Sequence, residues 1–158
     1  MATLKIDPKD HGIKGFTLIE VLIVIGILII LSSISISMFT AFQKNSNLRE
    51  AAGALAEDIK LARQRAMAEN VNYTITFNQT NNSYTIQSGA GTYNVTKKLQ
   101  ELFGRGIIIY NQNFASSTMN LQKRGTCDTG TIKLKNSINS ELDITTNIMG
   151  KVTIVKIS

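Results

Sequence analysis

A single carboxylate interrupts the longest apolar stretch of this 158-residue chain. Glu20 lies near the start of residues 16–39, which are otherwise apolar apart from one threonine, one glycine and four serines. A charged group in hydrocarbon costs about 2.5 kcal/mol or more when unpaired, so it usually has a partner. No basic residue lies within a turn or two of it on the predicted helix. We therefore expect the partner to come from the chain's own terminus or another chain, unless Glu20 extends to interfacial water.

The chain is poor in the side chains that enzymes use as nucleophiles, bases and metal ligands. It contains one histidine, His11, and one cysteine, Cys127. A catalytic Ser-His-Asp or Cys-His site needs a histidine, and zinc sites are built mainly from cysteine and histidine. No carboxylate spacing indicates acid–base catalysis. We therefore expect no catalytic residue, no metal and no cofactor, and we expect Cys127 to be a small, partly buried apolar residue.

Positive charge is concentrated in one segment. The net charge is +6, and residues 97–135 hold seven Lys or Arg against two acidic residues. Such a segment attracts nucleic acid or lipid headgroups, although a solvated basic surface is the commoner case. The candidate anion contacts are Lys123, Arg124, Lys133, Lys135 and Lys151. Because strand side chains alternate, we expect Lys133 and Lys135 on one face and Ile132 and Leu134 on the core side.

Residues 16–42 are predicted to form a transmembrane helix. The apolar run would be about 36 Å long as a helix, and a bilayer core is about 30 Å thick. The run is too long for a secretory signal peptide, and no small-residue cleavage site follows it. Three lysines precede it, which favours a cytoplasmic N-terminus with the rest of the chain on the far side.

The remainder predicts an α+β domain. Residues 48–70 place Leu48, Leu55 and Ile59 on one helix face together with several alanines, so an amphipathic helix is expected there. After residue 70 the apolar period changes to two, which indicates strands. The predicted strands are 71–77, 83–87, 107–110, 131–134, 142–145 and 151–157. Residues 111–130 are rich in Asn, Ser, Thr and Gly and are predicted to be loop.

The boundary before the apolar run resembles a known processing site. The segment Lys-Gly-Phe-Thr-Leu-Ile-Glu-Val-Leu, residues 14–22, is similar to the class III signal peptides of type IV pilins and type II secretion pseudopilins. The resemblance implies cleavage after Gly15 by a membrane aspartyl peptidase and N-methylation of Phe16. It also implies that Glu20 pairs with the terminal amine of a neighbouring subunit. Two groups costly to bury alone then neutralise each other only in the correct register.

Within that family the chain is similar to the GspH/FimT group of minor pseudopilins. The similar segments are Leu-Ala-Arg-Gln-Arg-Ala at 61–66, Gly-Thr-Ile-Lys-Leu at 130–134 and Gly-Lys-Val-Thr-Ile at 150–154. The DNA-binding members resemble one another in a C-terminal Gly-Arg-x-Arg. Here Lys151 replaces the first arginine, which keeps a charge but loses the bidentate fork, and Thr153 replaces the second.

The resemblance implies a pilin fold, with one long N-terminal helix packed on an antiparallel β-sheet. Residues 1–15 would be the leader peptide, 16–42 the transmembrane and assembly helix, and 43–158 the soluble domain. The implied partners are prepilin peptidase, inner-membrane lipid and other pilins or pseudopilins in a filament or tip complex. The chain would start in the inner membrane with its C-terminal domain outside the cytoplasm.

Three functions remain open on these observations. The first is a minor pilin or pseudopilin, a structural subunit of a type II secretion pseudopilus or a type IV pilus. The second is a DNA-binding minor pilin at a pilus tip, acting in DNA uptake. The third is a major pilin, against which the lone Cys127 counts, because many major pilins resemble one another in a C-terminal disulfide loop. An enzyme tethered by a membrane helix ranks below all three for want of catalytic groups.

Overall fold

The computed structural model describes residues 15–104 and 106–157, without the side chains of residues 33–37 and 157. Most of the predicted leader, residues 1–14, therefore lies outside the described residues. The chain divides into two compact units, the first ending at Met38 and the second beginning at Phe39.

The two predicted helices form a single element, α1, which runs from Leu18 to Glu69 over 52 residues. The polar residues 43–47 between the two predicted ranges include neither glycine nor proline, so nothing local interrupts the helix. The helix ends at Asn70, whose φ of 55° is left-handed. The Val71 N–H donates to the Ala66 carbonyl at 3.2 Å, which closes the last turn.

In the first unit the apolar side chains of α1 are uncovered. Every apolar residue of this helix from Leu18 to Leu31 is exposed, apart from the half-buried Gly26. Among the described residues, no helix reaches the length and hydropathy of a membrane span, so the predicted transmembrane segment at 16–42 is not shown here.

The second unit packs the remainder of α1 with two antiparallel sheets. One sheet has the strand order β3-β2-β1-β5 and the other β4-β6-β7-β8. The strands are β1 Tyr73–Asn78, β2 Ser83–Ser88, β3 Asn94–Lys98, β4 Ile108–Gln112, β5 Thr118–Leu121, β6 Gly130–Lys135, β7 Glu141–Thr146 and β8 Val152–Ile157. A short helix α2, Leu99–Phe103, follows β3, and a 3₁₀ turn, Ala115–Ser117, precedes β5.

The α+β class and the six predicted strands are confirmed, but the single predicted sheet is two sheets with two further strands. Strand β3 has no fully buried residue, so it lacks the apolar alternation by which strands are recognised. Strand β5 lies inside the segment predicted to be loop. It is four residues long and holds only two apolar side chains, Met119 and Leu121, too few to establish a period against its polar neighbours.

The core forms where the predicted helix face meets the sheets. The buried α1 residues are Leu48, Ala51, Ala52, Leu55, Ala56, Ile59, Ala62 and Ala66. On β6 the expected alternation holds, because Ile132 and Leu134 are fully buried while Lys133 and Lys135 remain half-buried on the other face. Small alanines on the helix allow the strands to approach closely, so this core consists of one helix face and the inner faces of strands.

Three polar contacts tie α1 to the strands and loops of the second unit. The Tyr84 hydroxyl donates to Asp58 at 2.6 Å, and the Lys97 ammonium reaches both oxygens of that carboxylate. The Arg63 guanidinium donates to the Gly125 carbonyl at 2.6 Å. The Asn136 amide donates to the Lys44 carbonyl and to the Asn45 side chain. The Asp58 and Arg63 contacts are charge-assisted, the Asn136 contacts are neutral, and together they hold α1 at several points along its length.

Candidate functional site

The predicted processing site lies on an exposed, non-helical segment. Gly15, Phe16 and Thr17 precede the first residue of α1, and all three are exposed. The Phe16 side chain is 86% exposed, and a Cβ built on Gly15 would meet nothing within 4 Å. A peptidase needs access to the scissile bond, and an exposed segment outside the helix is accessible. Lys14, the other residue of the predicted boundary, lies outside the described residues.

Glu20 has a partner inside its own helical turn. The Thr17 N–H donates to Glu20 Oε2 at 2.9 Å, and the Thr17 hydroxyl donates to the same oxygen at 3.0 Å. The Glu20 N–H in turn donates to Thr17 Oγ1 at 3.3 Å. This reciprocal arrangement is a capping box, in which the first turn satisfies its own orphan groups. The capping box thus gives Glu20 neutral donors within its own turn, and the expected pairing with a cation from a chain terminus or another chain stays a prediction.

The sequence contained the signal for this contact. Threonine followed three residues later by glutamate, just ahead of an apolar run, is the signature of a capping box. The box places the carboxylate beside the positive end of the helix dipole, which favours an anion. Only Oε2 takes part in it, so among the described residues Oε1 has no hydrogen-bond donor. One carboxylate oxygen of Glu20 thus stays available to a cation from another source.

The predicted basic residues do not form one surface. Lys133 pairs with Asp143 at 3.1 Å, and Lys135 pairs with Glu141 at 3.3 Å, so β7 places a carboxylate opposite each lysine of β6. The Lys135 ammonium also lies 5.0 Å from the centroid of the Tyr110 ring. Two of the seven positive charges counted along residues 97–135 are therefore balanced by the next strand.

The remaining predicted cations lie on two turns that contact each other. Lys123 and Arg124 are exposed on the turn after β5, and Lys151 is exposed where the turn between β7 and β8 ends. The Cys127 N–H donates to the Ile148 carbonyl at 3.2 Å, which joins residues 122–127 to residues 147–150. The structure thus brings the Lys123–Arg124 turn and the Lys151 turn into one pair of loops, separate from Lys133 and Lys135.

Arg63 of α1 lies beneath these two loops. Its Nε donates to the Gly125 carbonyl, and a Cβ added to Gly150 would clash with the Arg63 side chain. Gly150 has a φ of 74°, in the left-handed region that favours glycine. The glycine therefore has two reasons to be there: its backbone conformation and the closeness of the arginine.

Cys127 is 5% exposed and packs in the core, as expected. Burial raises the pKa of its thiol, so the reactive thiolate is disfavoured. Its sulfur lies 3.0 Å from the Asn147 carbonyl, close enough for a weak S–H hydrogen bond. Within residues 15–104 and 106–157, no three His, Cys, Asp or Glu side chains are grouped in a way that could hold a metal ion.

Comparison with known proteins yields two kinds of similarity. The family model described as a prokaryotic N-terminal methylation motif matches residues 11–36. The fold is similar to two structures of the minor pseudopilin EpsH from the type 2 secretion system of Vibrio cholerae. The first has a TM-score of 0.57 at 9% identity, covering 70% of this chain and 97% of the EpsH chain. The second has a TM-score of 0.54 at 8% identity, covering 70% and 94%. No curated protein sequence gives a significant match.

These findings confirm the resemblance to type IV pilin-like proteins and type II secretion pseudopilins. The motif match covers the predicted processing site, Glu20 and much of the apolar run. The structural match covers most of the chain at very low identity, so it shows the fold. The chain combines an N-terminal methylation motif with a pseudopilin fold.

Proposed function

We propose that the chain is a minor pilin or pseudopilin, a structural subunit of a type II secretion pseudopilus or a type IV pilus, and not an enzyme. The observation that carries the proposal is the contrast within one helix. From Leu18 to Leu31, within the methylation motif, α1 exposes its apolar side chains, whereas from Leu48 onward one apolar face of the same helix is buried in a domain with the pseudopilin fold. A helix that is apolar all round requires lipid or other protein around it. A filament subunit is surrounded by lipid before assembly and by other subunits afterwards.

Processing and membrane insertion form the first step of this proposal. Prepilin peptidase cuts between Gly15 and Phe16, and Phe16 is then N-methylated. Residues 16–42 lie in the inner membrane, with the second unit outside the cytoplasm. The exposed cleavage segment and the lysines ahead of the apolar run support this orientation.

Assembly through Glu20 forms the second step. Thr17 holds one carboxylate oxygen and leaves Oε1 for the terminal amine of a neighbouring subunit. In an apolar surrounding an unpaired charge costs about 2.5 kcal/mol or more, so a subunit in the wrong register is disfavoured. Neighbouring pilins or pseudopilins are thus the partners of this segment.

The processing step is tested by mass spectrometry of the membrane-extracted protein from cells with an active prepilin peptidase. We expect a chain that starts at Phe16 and is heavier by one methyl group. A Gly15→Leu variant, whose bulky side chain blocks the peptidase, is expected to keep its leader. Recovery of the wild-type chain with Met1 or Ala2 at its terminus would contradict the proposal.

The assembly step is tested with Glu20→Ala. The variant is expected to insert normally, since it removes a polar group from the apolar helix, and to be lost from cross-linked filament or tip complexes. Glu57→Ala is the matched control, because Glu57 is exposed on the same helix in the second unit. Normal incorporation of Glu20→Ala would mean that the carboxylate only caps α1 and extends to interfacial water.

A DNA-binding role at a pilus tip is the second candidate, and the contact between the two basic loops favours it. Lys123, Arg124 and Lys151 would contact a few phosphates, giving weak attachment that is sensitive to salt. Lys133 and Lys135, which already have carboxylate partners, should add little. No aromatic residue lies between Asn120 and Lys135 to stack on bases.

The test of this second candidate is a gel shift with the processed chain in neutral detergent, at low and at physiological salt. If the chain is only a structural subunit, we expect any DNA binding at low salt to disappear at physiological salt. DNA uptake would become the favoured function if binding persists at physiological salt and is lost when Lys123, Arg124 and Lys151 become Ala. Changing Lys133 and Lys135 to Ala should then leave the binding intact.

A further inference from the structure

The two sheets in the described part of the chain are open, so they have four edge strands, β3, β5, β4 and β8. An edge strand presents unpaired backbone groups, which proteins protect with charges, a bulge, a short length or a covering segment. Strand β3 has two lysines, Lys97 and Lys98, and one apolar residue. Strand β4 is bulged between Ile109 and Asn111. Strand β5 is four residues long and forms a bridge with Cys127. Three of the four edges are thus protected.

Strand β8 lacks these protections. It pairs with β7 in a continuous register over six residues, without a bulge. Its sequence, Val-Thr-Ile-Val-Lys-Ile, carries one charge and no proline. Ile154 is 42% exposed and Val155 is 48% exposed, so apolar side chains are uncovered on both faces of the strand. Within residues 15–104 and 106–157, no strand pairs with its other side.

The backbone of β8 has free hydrogen-bonding groups along this edge. The Asn147 N–H donates to the Lys151 carbonyl at 3.2 Å, so Lys151 and every second residue after it face β7. The N–H and C=O groups of Val152, Ile154 and Lys156 therefore point away from β7. Among the described residues, no group bonds to them. Such a row is the template to which an extended peptide adds as a further strand.

A small recess adjoins the end of this edge. It has a volume of about 30 Å³ and is bordered by Asn45, Leu48, Arg49, Ser140, Glu141, Leu142 and Lys156. This volume holds about two water-sized groups, which is the size of a carboxylate. Arg49 and Lys156 are exposed and have no acidic partner among the described residues. Glu141 is already paired with a lysine of β6. The recess therefore offers two unpaired cations.

We propose that β8 is the docking edge for an extended acidic segment of another protein, which adds to the second sheet and places a carboxylate between Arg49 and Lys156. Antiparallel addition continues the pattern of this sheet and sets the start of the segment opposite Lys156. The backbone row binds an extended chain of any sequence, and the two cations select an acidic one. A second copy of this chain fits less well, because β8 has no acidic residue to place beside these cations. The docking edge does not depend on the filament role proposed above.

The test uses the processed full chain in nanodiscs of phosphatidylcholine. The probe is the peptide Asp-Thr-Val-Thr-Val-Thr, blocked at its N-terminus and carrying a dye at its C-terminus. Fluorescence anisotropy measures its affinity, and amide hydrogen exchange followed by nuclear magnetic resonance locates it. We expect the peptide to slow the exchange of the Ile154 and Lys156 amides. The Thr153 amide, which faces β7, should change little. The same peptide with Asn in place of Asp should bind about fivefold more weakly, as for the loss of exposed ion pairs.

The matched variants are Lys156→Gln and Lys60→Gln. Lys156→Gln should weaken binding of the acidic peptide by about threefold, the size of one exposed ion pair. Lys60 is exposed on α1 and does not border the recess, so Lys60→Gln removes the same charge and should leave the affinity unchanged. Ile154→Pro removes one outward N–H without breaking a bond to β7, and it should abolish binding of both peptides. Urea unfolding checks that this variant is folded, and the exchange pattern of the wild type locates the peptide independently of it.

Three outcomes would overturn the proposal. If the peptide leaves the exchange of the Ile154 and Lys156 amides unchanged, it binds elsewhere. If Lys60→Gln weakens binding as much as Lys156→Gln does, only the net charge of the chain attracts the peptide. If these amides become protected at high protein concentration without peptide, a second copy of the chain occupies the edge.

Discussion

The two units of this chain share helix α1, but they differ in how far they bury its apolar side chains. Leu28, in the first unit, is 56% exposed, whereas Leu55, on the same helix in the second unit, is 0% exposed. From Leu48 to Ala66 the buried apolar residues form a stripe that packs in the core of the second unit, although Leu61 and Met67 are exposed. From Leu18 to Leu31 the exposed apolar residues surround the helix. The comparison teaches that the second unit supplies the packing partner of its own helix segment, while the apolar side chains from Leu18 to Leu31 have no such partner among the described residues.

The strongest test of this comparison substitutes one leucine in each unit. Leu55→Ala should lower the free energy of unfolding of the second unit by about 2–5 kcal/mol, because it leaves a cavity between helix and strands. Leu28→Ala should leave that free energy unchanged. Urea unfolding of the detergent-solubilised chain, followed by the near-ultraviolet circular dichroism of its tyrosines, measures both. Equal losses would show that the two halves of α1 fold as one cooperative body.

A second test asks whether buried polar contacts also distinguish the second unit. Asp58→Ala removes the acceptor of the Tyr84 hydroxyl and the Lys97 ammonium, and should cost about 2 kcal/mol because a buried donor is left unsatisfied. Glu101→Ala, which breaks the exposed pair with Lys98, is the control and should cost about 0.5 kcal/mol or less. A small loss for Asp58→Ala in the same unfolding assay would mean that packing alone holds α1 to the first sheet.

Tyrosine ionisation at alkaline pH should affect only the second unit, since residues 1–38 include no tyrosine. Burial, then the hydrogen bond to Asp58 and the charge of that carboxylate, raise the pKa of Tyr84 above its ordinary value of 10.0. The folded pKa is higher than the unfolded one, so this stabilisation is complete below pH 10 and declines as pH rises further.

One pH unit above the unfolded pKa, the loss is about 1.4 kcal/mol. Tyr84→Phe should make the decline in unfolding free energy between pH 9 and 11 shallower by about that amount. The exposed Tyr110, changed to Phe, should leave the slope as it is. A Tyr84→Phe slope equal to that of the wild type would show that Tyr84 ionises freely in the folded chain.

The smallest expected effect compares one hydroxyl from each unit. Thr146 is fully buried, and its hydroxyl donates to the Asp128 carbonyl at 2.9 Å. Thr146→Val leaves that carbonyl without its donor and should cost about 1 kcal/mol. The exposed Ser32 hydroxyl donates to the Leu28 carbonyl at 2.6 Å within α1, and Ser32→Ala should change the free energy by no more than about 0.5 kcal/mol. A larger loss for Ser32→Ala would indicate that the first unit depends on its own polar contacts.

Local patterns predicted much of this structure. The amphipathic face at 48–70 and the six alternating segments correspond to α1 and six of the strands. The capping box at Thr17 and Glu20 is also a local pattern of the sequence, although it was not among the predictions. Strands β3 and β5 carried too few apolar residues for any periodic signal.

The candidate sites also differ in whether local sequence alone predicts them. The proposed processing and assembly residues Gly15, Phe16 and Glu20 lie in one short motif that can be read without a structure. The basic residues could not be assigned to surfaces from their order alone. Strand pairing placed Asp143 opposite Lys133 and Glu141 opposite Lys135, and loop pairing joined the Lys123 turn to the Lys151 turn.

The sequence by itself therefore determined α1, six of the eight strands and the N-terminal methylation motif, because helix and strand periods and a short motif depend on neighbours a few residues apart. Tertiary structure alone decided the division into two sheets, the register of β6 against β7 and the recess that Arg49 and Lys156 border. These features join residues from segments far apart in the chain. Their alignment follows from how the apolar faces of all the strands fit against α1 at once, which no local period specifies.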